Sequence, residues 1–536
     1  MRPNQPRDPL GVTRKSARTR LPGEEPILAE LFSVERLEEH ARTLAVAQQT
    51  TTTHRRGRDV HRRIDENGKV LSESYRLLAR AIRDERSVTP AAEWLVDNFP
   101  IVDEQLREIR DDLPTDYYRA LPKLVHGPLA GYPRVLGLTW AYIAHTDSRF
   151  DPESLRRMVL AYQEVEPLTI GELWAIAITL RILLVENLRR QAEQIVQRRE
   201  ARQLADEFAD SILSADDEAS ALAQRRLSRT ALSTAARVQL FQRLRDLDPT
   251  LTPALRWLED TVIRQGTTAE ELVRVEHQRQ ATMNVTVRNV ITSMRLVSWF
   301  DWSDFVESIG KVDDVLRAHS SFAAMDFTTR NQYREAIEVL SRESGLTEVD
   351  VARRAVRVAE SSTEVDGVAA SWNARRRDPG YYLISEGRPA FERTLGGRVP
   401  IVERIRRLFV SAAGVGYLLT IIAVAALTLA VPLLLSWLGE ATTSGTIAVT
   451  LLALVPASEI AIALVNRLVT RVLRPRPLPR LDLHDGVPTE PAPSSSVTRA
   501  ASQSRVASSV ASAASRTSCA RDHSRVSGES SSSSQR

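Results

Sequence analysis

The sequence has almost no cysteine and none of the short motifs that mark common catalytic centres. Its 536 residues include one cysteine, Cys519, so neither a disulfide framework nor a cysteine metal site can form. It has no Gly-rich phosphate loop, no HExxH and no GxSxG. Carboxylates are plentiful, but no pair is marked by sequence for acid–base chemistry. We therefore assign no catalytic, cofactor-binding or metal residue.

The chain also lacks a large excess of either charge. Its 72 Lys and Arg are interleaved with 68 Asp and Glu, and the formal net charge is +4. The basic runs RKSARTR and HRRGRDVHRR near the N-terminus are short and typical of solvated charge. We therefore expect no nucleic-acid partner.

The N-terminus has no apolar core of the kind found in a cleavable signal peptide. It reads MRPNQPRDPLGVTRKSARTR, and residues 1–26 are rich in Pro, Arg and Gly. This composition predicts a disordered segment. Without an export signal, the bulk of the chain is expected in a reducing cytoplasm.

Residues 27–397 show helical periodicity and no strand-like alternation. Val34, Leu37, Ala41 and Leu44 recur at helix spacing. Helix starts are predicted where a capping residue stands directly before a proline, or three positions before an acidic residue. These starts are at Thr89, Asp151, Thr169 and Thr347. We predict an all-α cytoplasmic region of one or two bundles, divided near 210–230.

One long stretch, LWAIAITLRILLVENLRRQAEQIVQRREARQLADEF, predicts an extended helix. Its first half is apolar, but Arg181 and Glu186 interrupt it. These charges favour a helix in the core of the cytoplasmic helical region, residues 27–397, over a membrane span. We call this region the head.

Two further runs, 408–438 and 446–465, are apolar and long enough to cross a bilayer. Arginines precede the first run and follow the second, whereas the short loop between them has none. The positive-inside rule then predicts a hairpin with both ends cytoplasmic. Trp437 stands where an interfacial aromatic residue is expected. The lipid bilayer is the predicted partner.

Glu459 lies inside the second apolar run. A carboxylate in hydrocarbon is costly unless it is neutralised or paired. Counting eight residues inward from Arg467 puts first-span residues 415–417 at the same depth, where Gly414 and Gly416 permit close approach. We hypothesise that Glu459 pairs with Tyr417 or with another membrane helix. The alternative is a protonated structural glutamate that holds helices together.

Beyond the hairpin, the composition changes twice. Residues 466–488 are rich in Arg and Pro and predict a stiff connector. Residues 489–536 are rich in Ser, Ala and Arg and lack apolar periodicity, so this tail is expected to be disordered.

Two polar clusters are weaker candidates for a binding site. His145, Asp147 and Asp151 lie close enough in sequence for a metal, although Asp151 is better explained as a helix cap before Pro152. Tyr381, Tyr382 and Arg388 lie in a predicted loop that could contact a ligand. Packing against the membrane hairpin is the alternative for this loop.

An aromatic cluster is the third candidate. Trp299, Phe300 and Trp302 could stack on a sugar or a base. At their spacing, burial in a core is the more common outcome.

Several long stretches occur together and in order. They include PAAEWLVDNFPIVDEQLREIRDDLP, YYRALPKLVHGPLAGYPRVLGLTWAYIAHTDSRFD, EPLTIGELWAIAITLRILLVENLRR, SMRLVSWFDWSDF, MDFTTRNQYR, GYYLISEGRPAFERTLG, VPASEIAIALVNRLVT and PLPRLDLHDGVP. From about residue 27 to 488 the chain resembles the N-terminal region and first transmembrane hairpin of the cyclic β-1,2-glucan synthases.

The resemblance implies a multi-pass protein of a bacterial inner membrane. It further implies a place before a glycosyltransferase domain that uses UDP-glucose with a divalent metal. It also implies packing against that domain or further membrane helices. The family's nucleotide-binding aspartates and QxxRW-type motif do not appear here, so no family catalytic residue can be assigned. We expect this chain to anchor and position the transferase without transferring glucose alone.

After residue 488 the sequence departs from the family pattern. The Ser-rich composition predicts a reading-frame change or truncation, with a native short form as the alternative. Two other functions stay open. One is a stand-alone membrane scaffold or sensor that binds a cytoplasmic partner, and the other is a metal or hydrolytic activity at the His145 cluster.

Overall fold

A computed structural model gives the structure of residues 25–51, 59–86, 88–213, 232–245, 252–264, 266–362, 370–397, 413–439 and 442–472. These residues are almost entirely helical, which confirms the predicted all-α class. Among them the strands are β1, Thr50–Thr51, and β2, Lys123–Leu124, which pair antiparallel. The chain divides into two compact units between Gly310 and Lys311.

The helices of the first unit pack around one main apolar core and, for α9 and α10, around a smaller cluster. In chain order they are α1 (Val34–Ala47), α2 (Val60–Arg83), α3 (Pro90–Asp97), α4 (Phe99–Asp112), α5 (Thr115–Ala120), α6 (Arg134–His145), α7 (Pro152–Val165), α8 (Ile170–Leu213), α9 (Thr234–Arg245), α10 (Thr252–Ile263), α11 (Ala269–Trp299) and α12 (Trp302–Ile309).

Helix starts in both units follow local capping chemistry. The side chain of Thr89 accepts from the backbone N–H of Ala92, and that of Asp151 accepts from the N–H of Ser154. Thr169 and Glu172 form a reciprocal capping box at the start of α8. The predicted helix starts at these positions are confirmed.

α8 has 44 residues, which corresponds to about 66 Å at about 1.5 Å per residue. Its first half is buried on nearly every side because α2, α6 and α11 surround it. The predicted core helix is confirmed. Its second half carries a smaller apolar cluster, in which α9 packs on α8 around Ala209 and Leu240. The predicted division of the helical region near 210–230 falls mostly outside the described residues and stays a prediction.

The second unit contains a group of short helices and a hairpin of two long ones. The short helices are α13 (Lys311–His319), a 3-10 turn (Ser321–Ala324), α14 (Phe327–Ser344), α15 (Glu348–Glu360), α16 (Ala370–Arg376), α17 (Pro379–Ile384) and α18 (Arg388–Leu395). Arg334 in α14 donates to both carboxylate oxygens of Asp313 in α13, at 3.0 and 2.6 Å.

The hairpin consists of α19 (Ala413–Leu438) and α20 (Thr443–Val472). Both helices are long and apolar enough to cross a membrane. α20 extends past residue 465, where the sequence had suggested its end, into the predicted connector. Residues 1–24, 398–412 and 473–536 lie outside the described part, so the predicted disordered N-terminus and tail and the rest of the connector are not described.

Candidate functional site

One hydrogen bond crosses the hairpin between its two helices. The hydroxyl of Tyr417 in α19 donates to Oδ1 of Asn466 in α20 at 2.7 Å. Ala457, Ala461 and Val465 are buried at spacings of four residues, on the side of α20 that packs against α19. Small side chains there let the helices approach closely. Tyr417 therefore joins the two helices, as the sequence suggested, but its partner is Asn466.

The Tyr417–Asn466 bond also sets the depth of Glu459. In an antiparallel pair with residue 417 opposite residue 466, residue 459 lies opposite about residue 424. α19 runs from Ala413 to Leu438, so this position is near its middle. The structure does not bring Tyr417 and Glu459 together. It places Glu459 about halfway along the apolar helices.

Glu459 lies on the outer face of α20. Helix positions advance by about 100° per residue, so Glu459 is on the side opposite the buried Ala457 and Ala461. Its side chain is exposed, and no described residue of the chain gives it a hydrogen bond or an ion pair. Pairing of Glu459 with another membrane helix stays a prediction.

The three residues of the His145 cluster have separate partners. His145 stacks on Phe32 with ring centroids 3.8 Å apart, and its Nδ1 lies 2.7 Å from the carbonyl oxygen of Glu30. Asp151 caps α7. Asp147 accepts from Thr286 at 2.6 Å and from Asn289 at 3.0 Å, both in α11.

Through these contacts the three residues stabilise the packing and the ends of neighbouring helices. Burial raises the pKa of Asp147 above its usual value, although the hydrogen bonds from Thr286 and Asn289 oppose this rise. Within the described ranges, no three His, Cys, Asp or Glu side chains are grouped closely enough to hold a metal ion. The geometry thus supports the capping interpretation of Asp151.

Tyr381, Tyr382 and Arg388 belong to short helices rather than to an open loop. Tyr381 and Tyr382 lie in α17, with ring centroids 5.1 Å apart, and Tyr382 is buried. Arg388 at the start of α18 donates to Glu392 at 2.9 Å. Tyr381 remains partly exposed. Tyr382, through its burial, and Arg388, through its bond to Glu392, already stabilise the fold.

Asp378, which sequence analysis missed, holds this region together. Its Oδ1 accepts from the Gly380 N–H at 2.7 Å and from the Tyr333 hydroxyl at 2.9 Å. Burial, and then the charge of Asp378, raises the pKa of Tyr333 well above its ordinary value. The only local signal was Asp378 before Pro379, a helix-start pattern, because Tyr333 lies 45 positions away.

The aromatic cluster is split by the structure. Phe300 and Trp302 pack with Phe150 and Phe305 against the main core, and the Trp302 ring N–H donates to the Val297 carbonyl at 3.0 Å. Trp299 is 87% exposed at the end of α11. Only Trp299 is thus available for stacking on a ligand.

A buried ionic cluster joins α8 to α2 in the first unit. Glu186 in α8 is fully buried and accepts two hydrogen bonds from Arg63 in α2, at 2.7 and 2.9 Å. Arg189 and Arg190 also donate to it, at 3.2 and 2.8 Å. Burial raises the pKa of Glu186, but the arginines outweigh that effect and hold it well below its usual range.

Over 434 residues the chain is 35% identical to the cyclic beta-(1,2)-glucan synthase NdvB of Rhizobium meliloti (strain 1021). The chain is related to the cyclic β-1,2-glucan synthases. The match covers 79% of this chain, so it extends well beyond any single motif. No protein-family model matches the chain.

The chain spans about 15% of the length of that synthase. The relationship therefore concerns a segment of a much longer protein. In the described ranges of this segment, the polar clusters serve as helix caps, buried ion pairs and helix-to-helix bonds. Among the described candidates, the outward Glu459, the exposed Trp299 and the partly exposed Tyr381 are left over by the fold.

Proposed function

We propose that this chain forms the helical head and a membrane hairpin of a cyclic β-1,2-glucan synthase, and that it anchors and positions the glucosyl-transferring part. The observation that carries the proposal is the 35% identity to such a synthase over 434 residues. Two helices long enough to cross a membrane support the anchoring role. In this proposal the head is cytoplasmic and the hairpin lies in the bacterial inner membrane with both ends inside.

In this proposal, glucosyl transfer is carried out by a glycosyltransferase domain that this sequence does not include. UDP-glucose and its divalent metal bind the glycosyltransferase domain, since this sequence has no nucleotide-binding motif. The hairpin packs against that domain or against further membrane helices.

A direct assay tests the catalytic part of the proposal. The purified full chain, reconstituted in vesicles, is incubated with radiolabelled UDP-glucose and Mg²⁺ or Mn²⁺. We expect no glucose in polymer. Transfer above a protein-free control would show that the chain is catalytic by itself.

A replacement experiment tests the positioning part. Residues 27–488 of this chain replace the matching segment of the Rhizobium meliloti synthase in cells that lack their own enzyme. We expect cyclic glucan to be restored. A matched chimaera, in which residues 413–472 are exchanged for an unrelated two-span hairpin, should insert but make little glucan. If both chimaeras are equally active, the hairpin only anchors.

A stand-alone scaffold is the second candidate function. Trp299, 87% exposed beside the partly exposed Leu296, offers the head an apolar contact point for a protein partner. Capture by the head of a partner that is unrelated to glucan synthesis, lost in W299A, would favour this function.

A further inference from the structure

The stretch that precedes α1, residues 25–33, has no regular secondary structure and binds to the last turn of α6. We call it the strap. The backbone N–H groups of Ala29 and Phe32 donate to the carbonyl oxygens of Ala144 and His145, at 2.9 and 3.1 Å. The last carbonyls of a helix have no partner within that helix. The strap therefore caps the C-terminal end of α6.

The strap is also fixed to α8. The side chain of Asn187 accepts from the N–H of Ile27 at 2.8 Å and donates to the carbonyl oxygen of the same residue at 3.3 Å. Arg190 donates to the carbonyl oxygen of Glu25 at 2.7 Å. Ile27 is buried in the main core. Because these hydrogen bonds use the backbone of the strap, they fix its path regardless of the charge on its side chains.

Two histidines and a phenylalanine pack together where the strap meets α1 and α6. Phe32 of the strap stacks on His145, and the half-buried His40 of α1 contacts both rings. The ring centroid of His40 lies 5.6 Å from that of Phe32 and 4.9 Å from that of His145. Histidine is the side chain whose charge changes near neutral pH. The strap therefore packs against a pair of groups that repel each other once both are charged.

The two histidines have different surroundings. The Glu30 carboxylate attracts a charge on His145, and the carbonyl oxygen of Glu30 lies 2.7 Å from its Nδ1. For His40, burial and then the charge of His145 lower the pKa below its ordinary value. A proton on His145 is thus accommodated by the strap, whereas a second proton, on His40, is opposed.

The other charged groups on the elements around this pair are engaged in ion pairs. These pairs join the strap to α1, α1 to α7, and two positions of α8, and they are Glu30–Arg36, Glu38–Arg157, Arg42–Glu164 and Glu186–Arg190.

We propose that residues 25–33 form a proton-operated strap, which is bound to the end of α6 while His40 is neutral and is released from that end when His40 and His145 are both charged. A freely exposed histidine titrates near about 6.5. The released strap leaves His40 better hydrated and so binds the second proton more readily, and the bound state is therefore favoured above that pH and disfavoured as pH falls below it. The strap and both histidines lie in the first unit, so release needs neither a membrane nor a glycosyltransferase domain.

The mobility of a spin label on the strap tests the proposal. Leu31 is 62% exposed, so L31C in a C519S background takes the label without displacing a buried side chain. Electron paramagnetic resonance spectra of the full chain in detergent are recorded from about pH 8 to about pH 5.5, across the titration of histidine. We expect the mobile component to grow about tenfold over this range, since one unit of pKa is a factor of ten in an equilibrium.

Two neutral substitutions remove the second charge. H40F keeps a ring at this position and H40Q keeps a polar group, and in both variants the strap should stay immobile down to the lowest pH. H126Q changes an exposed histidine of the same unit and should follow the wild-type profile. The proposal is overturned if the wild-type strap is equally mobile at every pH, or if H40F and H40Q still release it in acid.

Circular dichroism of the same samples separates release of the strap from unfolding. The helix content should stay constant while the label becomes mobile. If the helix content falls with the same midpoint, acid unfolds the first unit as a whole, and the proposed local release is wrong.

Discussion

Glu186 shows how much of the head depends on a single side chain. Its carboxylate lies among Arg63, Arg189 and Arg190, and part of each arginine is buried with it. A buried ion pair adds little relative to an apolar contact, yet removing one partner leaves the other charges uncompensated. Here one carboxylate compensates several guanidinium groups at once.

We predict that E186Q destabilises the first unit by about 3–5 kcal/mol, because it leaves buried arginines without their anion. The midpoint of chemical denaturation, followed by tryptophan fluorescence of the detergent-solubilised chain, measures this. E153Q is the control, since Glu153 pairs with Arg156 on the surface, and its midpoint should not move. Equal effects of the two variants would contradict the prediction.

The same carboxylate predicts an acid sensitivity. The pKa of Glu186 is lowered in the folded state, whereas an unfolded glutamate titrates near about 4.3. Its contribution is complete above that unfolded value and is lost as pH falls toward the lower folded pKa. The denaturation midpoint should therefore fall on acidification below about pH 5, and this fall should be smaller in E186Q.

At the scale of helices, Tyr417 and Asn466 join α19 to α20 inside an apolar hairpin. We predict that Y417F weakens the hairpin by about 0.6–2 kcal/mol, the range for hydrogen bonds between membrane helices. Unfolding by titration with a denaturing detergent measures it. S436A is the control, because the Ser436 hydroxyl donates to the Pro432 carbonyl of its own helix. A larger loss in S436A would argue against an interhelical role.

The start of α17 depends on the absence of a side chain at Gly380. A Cβ added there would lie 1.9 Å from the Tyr333 hydroxyl oxygen, too close for any atom. G380A should therefore break the Tyr333–Asp378 bond and destabilise the second unit by more than about 1 kcal/mol. Thermal unfolding followed by circular dichroism tests this. G171A, where the nearest atom is 3.7 Å away, should be neutral or stabilising.

Local sequence patterns predicted where helices begin better than they predicted which residues contact each other across the fold. Helix caps at Thr89, Asp151 and Thr169 depend on residues within three positions, so the sequence shows them directly. Arg63 and Glu186 are 123 positions apart, and no periodicity links them. The charge of Glu186 within an apolar run predicted a core helix rather than a membrane span, but not its partner.

The candidate site shows the same limit. A carboxylate in a membrane span was evident from sequence, but its depth depended on where α20 ends. In the structure Asn466, not Glu459, bonds to Tyr417, so the pairing of the two helices differs from the predicted one by about seven residues. Helix ends in apolar runs have no local marker as clear as an N-cap, so the sequence could not fix this register.

At the scale of the whole chain, the two compact units should respond separately to mutation. We predict that E186Q raises amide hydrogen exchange in α2 and α8 and leaves α13–α15 unchanged, whereas G380A does the reverse. Exchange measured by mass spectrometry on the full chain tests both. If either variant affected both sets of helices, the units would form one cooperative whole.

The main core of the first unit has a consequence for synthesis on the ribosome. It draws its residues from Ile27 through Ile309, so it cannot close until residue 309 has left the exit tunnel. The first apolar helix begins at Ala413, about 100 residues later, or about 5–20 s at typical translation rates. All residues of this core therefore emerge before the hairpin does, and in the proposed topology membrane targeting acts on a nascent chain whose first unit is already free to fold.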